Sequence, residues 1–154
     1  MSYSSDSDQD RRSAAKLAIE RETGISEVMV RDLVHHFYAQ VRNDESLAPI
    51  FESHISDWGI HLERMCDFWS SVVLISGRYH GQPMQKHIPL PVGGKHFDRW
   101  LELFRESARQ ICSPIAANYF IQRAERIAES MELGIAGARG EMLMQGERLQ
   151  PLVG

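Results

Sequence analysis

The run Tyr79-His80-Gly81-Gln82-Pro83-Met84-Gln85-Lys86-His87-Ile88-Pro89-Leu90-Pro91 holds one histidine between backbone constraints on both sides. Pro89 disfavours helical geometry at Ile88, so a helical turn through Gln85 and Lys86 should end at or just after His87. An imidazole at a helix end can offer one ring nitrogen to a metal. Its other ring nitrogen can donate to a nearby backbone carbonyl, which orients the ring and raises its basicity. A histidine in a Pro/Gly loop can equally be a solvated loop residue, so the ligand reading depends on what the rest of the chain brings to it.

Four helical stretches are available to position such a site. Ser26 can cap a helix whose apolar residues Val30, Leu33, Val34, Phe37, Tyr38 and Val41 recur at helical spacing, so this stripe faces a core. Asn43-Asp44-Glu45-Ser46 breaks it, and Pro49-Ile50-Phe51 starts a short apolar turn. A second helix is expected from Ser56 or Asp57 to about Ile75, with Trp58, Leu62, Met65, Phe68, Trp69, Val72 and Val73 inward, His61 one turn before Met65, and Gly77 ending it. The connection that follows, residues 76 to 94, is too long for a simple link and reads as either disordered or functional. A third helix from about Lys95 aligns Phe97, Trp100, Leu101, Phe104, Ala108 and Ile111. Ser113-Pro114 is the cap and first-turn proline of a fourth, with Phe120, Ala124, Ile127, Ala128 and Met131 inward.

No stretch alternates as a strand for more than four residues, so the fold class is all-α. At 154 residues, with 43% hydrophobic and 25% charged content, the chain suits one globular domain. Residues 1 to 24 read as a flexible N-terminal extension, 25 to 133 as the folded domain and 134 to 154 as a flexible C-terminal tail. A net charge of −4 gives no electrostatic case for binding nucleic acid or an acidic membrane surface. The seven histidines follow no zinc spacing, and Cys66 and Cys112 are too few for a disulfide scaffold, so they read as buried thiols of a reducing compartment. With no apolar run at its start, the chain is expected to be cytoplasmic, with no membrane span.

The segment around His87 does not stand alone. Phe37-Tyr38, Pro49-Ile50-Phe51, Trp58-Gly59-Ile60-His61, Asp67-Phe68-Trp69, the Gly81-Gln82-Pro83-Met84 run ending at His87, and Phe97-Asp98-Arg99-Trp100 follow one another in an order and spacing that resembles the truncated haemoglobins, specifically group III. The resemblance runs from about Ser26 to about Glu132. It implies a truncated globin fold, two helical pairs crossing in a two-over-two sandwich around haem b (iron protoporphyrin IX). It also implies binding of dioxygen and other diatomic gases. A haem would supply a flat apolar surface for a core with six phenylalanines and three tryptophans, and an iron for an inward histidine.

Under that resemblance His87 is the iron ligand. Tyr38 can donate a hydrogen bond to a partly anionic diatomic ligand, and Trp100 can only donate, through its indole N–H. His61 falls at the distal position, where in group III it can act as a gate. Phe51 resembles the phenylalanine that stacks on the haem, Met65 and Phe68 would wall the pocket together with Phe37 and Tyr79, and Lys86 could pair with a propionate. Strong donors slow ligand release, which suits redox chemistry on nitric oxide or peroxide, with a reductase partner, better than oxygen delivery. The alternatives are a haem-based sensor or electron-transfer protein, in which His61 also binds iron, and a haem-free helical interaction module.

Two histidine groups carry other expectations. His35 and His36, about 100 degrees apart on a helix, cannot chelate one metal and are expected at the surface, while His96 caps the third helix. The one glycine doublet, Gly93-Gly94, follows His87 instead of preceding the proximal helix as in other truncated-haemoglobin groups, which supports group III.

Overall fold

The computed structural model describes residues 3–87 and 90–151; Ile88 and Pro89, on which the argument for the end of the histidine turn rested, lie outside the described residues. Among the described residues the chain forms seven helices and no strand: α1 Tyr3–Thr23, α2 Glu27–Arg42, α3 Ala48–His54, α4 Trp58–Leu74, α5 Pro83–His87, α6 Gly94–Ile111 and α7 Pro114–Ala138. The four expected long helices are α2, α4, α6 and α7.

Each long helix starts where a side chain can satisfy its first free N–H groups. Ser26 Oγ accepts from the Met29 N–H at 3.2 Å, Asp57 Oδ1 from Ile60 at 3.1 Å and Ser113 Oγ from Ala116 at 3.4 Å, with Pro114 in the first turn of α7. At α6 the side chain works backwards: the Gly93 N–H donates to His96 Nδ1 at 2.9 Å. The buried face of α2 is Val30, Leu33, Val34, Phe37, Tyr38 and Val41, the stripe the period demands. Pairing α2 with α4 and α6 with α7, and laying α2 across α6, gives the two-over-two truncated globin sandwich. Phe37, Trp69, Phe104 and Phe120 fill the crossing with almost no exposure, each contributing roughly 1.5–3 kcal/mol by leaving water.

The structure departs from the sequence reading at five places. Tyr3–Thr23 is one helix; Ile19 packs on the core, Thr23 is buried, and Lys16 Nζ lies 3.6 Å from Glu27, so only a narrow edge near its end makes contact and periodicity is faint. Pro49-Ile50-Phe51 is the start of α3, not merely a turn. Helix α4 ends at Leu74 with Ile75 itself left-handed at φ 55°, two residues before Gly77. Helix α7 continues past Gly134 to Ala138, and the chain after it returns so that Leu149 is 1% exposed. His36 is half-buried, its Nδ1 3.1 Å from Ser107 Oγ, and so joins α2 to α6, whereas its neighbour His35 is exposed as expected.

Candidate functional site

The helices enclose a cavity of about 440 Å³ to which α2, α3, α4, α5, α6 and α7 all contribute, within the range of roughly 300–1,000 Å³ of small-molecule and cofactor sites. His87 reaches its wall from the end of α5. His87 Nδ1 is 2.6 Å from the Pro83 carbonyl oxygen, one turn back, so Nδ1–H donates there and Nε2 keeps its lone pair. Helix α5 is only five residues long and rests on α7, where Met84 fits against Gly134; a Cβ at Gly134 would overlap the methionine sulfur. The Tyr79 N–H donates to Ser71 Oγ at 2.9 Å and its ring meets Phe68 edge-on at 5.3 Å, which brings the connection between α4 and α5 onto the cavity.

Tyr38 and His61 share the cavity wall, their rings edge to face with centroids 5.1 Å apart. Tyr38 is 5% exposed and its hydroxyl hydrogen-bonds to no described residue; burial raises its pKa above the ordinary phenolic value, so it remains a donor. His61 Nε2 is buried without a partner among the described residues, as is Nε1 of Trp58, whose ring lies 5.5 Å from that of His61. Burial first, then the charges of His87, Arg64 and Lys86, lowers the His61 pKa to about 4, so the ring is neutral near pH 7. A buried polar atom left unpaired costs roughly 1–3 kcal/mol, which makes His61 Nε2, on the cavity wall, a place where a polar ligand is favoured.

Trp100 lines the cavity from α6, stacked on Phe104 at 5.5 Å and flanked edge-on by Phe37 at 5.4 Å. Phe37 itself is not part of the wall: it lies in the core behind it, touching Tyr38, Trp100 and Phe104, and so holds the two donor side chains from the rear. Phe51, Met65 and Phe68 complete the apolar lining, with the exposed Lys86 at the edge. Of the ten positions singled out in the sequence, the structure brings nine to one cavity and sets Phe37 behind it.

Three further lining residues carried a weaker signal. Arg64 lies three positions after His61, a spacing that puts both on one side of α4. His54 and His96 also reach the cavity; the first makes a bond from Nδ1 to the Ile50 carbonyl at 2.9 Å, and the second had been recognised only as a cap. Leu90 and Val92 belong to an aperiodic loop and had no such signal.

An apolar cavity with a tethered imidazole, a buried unpartnered ring nitrogen on His61 and a free phenol fits haem: a flat apolar body, an iron that takes imidazole, and a diatomic gas that takes hydrogen bonds. The comparisons agree. The bacterial-like globin family matches residues 22–132. The group 3 truncated hemoglobin ctb of Campylobacter jejuni is 34% identical over 113 residues, which are 70% of this chain and 89% of that protein. The crystal structure of a group III truncated hemoglobin from Campylobacter jejuni aligns with a TM-score of 0.66 at 35% identity, over 70% of this chain and 88% of that one. The group 2 truncated hemoglobin YjbI of Bacillus subtilis is more distant, 26% identical over 85 residues, 54% of this chain and 64% of that protein. Among the described residues no helix is long and apolar enough to cross a membrane. The chain belongs to the bacterial-like globins as a group III truncated haemoglobin, a family that binds haem and diatomic gases.

Proposed function

We propose that the chain binds haem b through His87 Nε2, holds dioxygen or another diatomic ligand against Tyr38 and Trp100, and turns over nitric oxide or peroxide with electrons from a reductase. The observation that carries the reading is the 2.6 Å contact from His87 Nδ1 to the Pro83 carbonyl on the wall of the apolar cavity, which fixes the tautomer that presents a lone pair at Nε2. Haem supplies an iron with one position for the imidazole and one for the gas. Tyr38 and Trp100 favour the partly anionic form of that gas, Phe51, Met65, Phe68 and Tyr79 exclude water, and Lys86 pairs with a propionate. Two strong donors retain a ligand longer than a carrier needs, which supports redox turnover over delivery. The haem-holding unit is residues 25–133, and the two buried free thiols, Cys66 and Cys112, favour a reducing compartment such as the cytoplasm.

A second reading, haem-based sensing or electron transfer, is favoured by one observation: His61 Nε2 is buried, unpartnered and neutral, so it could serve as a second ligand to the iron. Absorption spectra of the purified protein in ferric, ferrous and carbon monoxide forms separate the two. The leading reading expects a five-coordinate ferrous form; a six-coordinate low-spin form without added ligand supports the second. A colourless protein that takes up no added haem overturns both.

A further inference from the structure

The chain beyond residue 132, outside the region matched by the family, folds back against the loop that follows His87. Arg139, at the end of α7, donates through Nη2 to the carbonyls of Leu90 at 2.9 Å and Val92 at 3.2 Å, and through Nη1 to the carbonyl of Gln150 at 2.9 Å. The Leu90 N–H in turn donates to the His87 carbonyl at 3.0 Å, so one guanidinium is a single residue's hydrogen bond away from the candidate ligand's backbone.

The far end of this strap is pinned independently. Arg148 bridges Glu132 and Asp98 with contacts of 2.9 to 3.1 Å and donates to the Gly94 carbonyl at 3.0 Å. The Leu149 backbone is held on both sides: its N–H donates to Glu132 Oε1 at 2.9 Å and its carbonyl accepts from the Gly94 N–H at 2.7 Å. Leu149 packs with Val92, Ile135 and Ala136, and Leu90, Ile50 and Phe97, which all line the cavity, pack against that group. Gly93 admits the strap, because a Cβ there would stand 2.6 Å from the Pro151 backbone nitrogen and 2.8 Å from the Leu149 oxygen, contacts no rotamer can relieve.

We propose that Arg139 is a positioning residue for the proximal histidine: it ties the loop after His87 to the C-terminal strap and so fixes the imidazole against the iron. The inference rests on His87 being the ligand. Arg139→Met removes the tie, and Gly93→Ala displaces the strap without touching Arg139. Each should quicken transfer of ferric haem to a scavenging apoprotein about tenfold, the scale of one lost charge-assisted hydrogen bond, and shift the iron–histidine stretch of the ferrous form. Arg139→Lys, which keeps the charge but on a single nitrogen, should fall between.

The same substitutions are then made in His87→Gly supplied with imidazole, a ligand the loop does not hold. There Arg139→Met should leave haem transfer unchanged. Equal acceleration in both backgrounds would mean that Arg139 shapes the cavity at large, and wild-type transfer with an unshifted stretch in both variants would mean that the strap holds nothing; either result overturns the proposal. If His87→Gly alone keeps a normal histidine-ligated spectrum, the ligand assignment itself has failed, an outcome visible before any Arg139 variant is made.

Discussion

The imidazole of His87 is tethered by the carbonyl of Pro83, one helical turn before it, at 2.6 Å. The tether decides which ring nitrogen faces the cavity. It also makes the first prediction specific: His87→Gly should abolish tight haem retention, because a bond from His87 to the iron would be the strongest anchor in an otherwise apolar pocket. Free imidazole should restore part of the Soret band. A five-coordinate histidine spectrum in the variant without imidazole would assign the iron to another residue.

Tyr38 and Trp100 reach the cavity from α2 and α6 and are held by the shared neighbour Phe37. Losing one hydrogen bond to a partly charged ligand costs roughly 1.5–3 kcal/mol, about tenfold to a hundredfold in affinity. Oxygen should leave Tyr38→Phe and Trp100→Phe faster by that factor, with carbon monoxide little affected. Stopped-flow displacement measures both gases, and equal effects on the two would point to steric control.

His61 lies in the first turn of α4, half-buried and edge-on to Tyr38 on the cavity wall. With two donors already present, His61→Ala should change ligand association more than dissociation in flash photolysis. Dissociation raised tenfold at an unchanged association rate would instead make His61 a direct partner of the ligand.

The His61 environment also sets a pH dependence for the haem-free protein. Its pKa falls from 6.5 to about 4 because burial, and then His87, Arg64 and Lys86, oppose its charge. Above pH 6.5 the ring is neutral whether the chain is folded or not. Below that, the unfolded chain takes up a proton the folded one resists, so stability declines as pH falls from 6.5 towards 4. Measured by urea midpoint, wild type should lose stability relative to His61→Gln as pH falls through this window; parallel curves would sink the assignment.

Asp44 organises the turn between α2 and α3. It accepts from the Ser46 and Leu47 N–H groups, each at 3.1 Å, and from Arg99 Nε at 2.6 Å, which links the turn to the residue beside Trp100. Burial raises the carboxyl's pKa, but these donors outweigh it and hold it below the usual value. Asp44→Ala should cost about 2 kcal/mol in denaturant unfolding. A change within about 0.5 kcal/mol, the range of ordinary surface substitutions, would show that the turn forms without it.

The sequence alone determined the helices whose apolar spacing repeats and whose first turns carry their own caps: Ser26, Asp57 and Ser113 each stand three residues before the N–H they accept. It also isolated His87 and most of the cavity wall, because α2, α4 and α6 each bring their site residues on the stripe that faces inward. These features are local, a matter of period and of neighbours within one turn. Tertiary structure alone decided that Phe37 stands behind the wall and not in it, that His36 turns inward to Ser107, and that Leu149 and Arg139 close over the loop after His87. Phe37 and Tyr38 are adjacent on one buried stripe, and only the crossing of α2 over α6 distinguishes cavity from core. The strap is joined by charge pairs and backbone carbonyls from residues 90 to 151, a set of contacts that follows no repeat and leaves no pattern until the chain has folded.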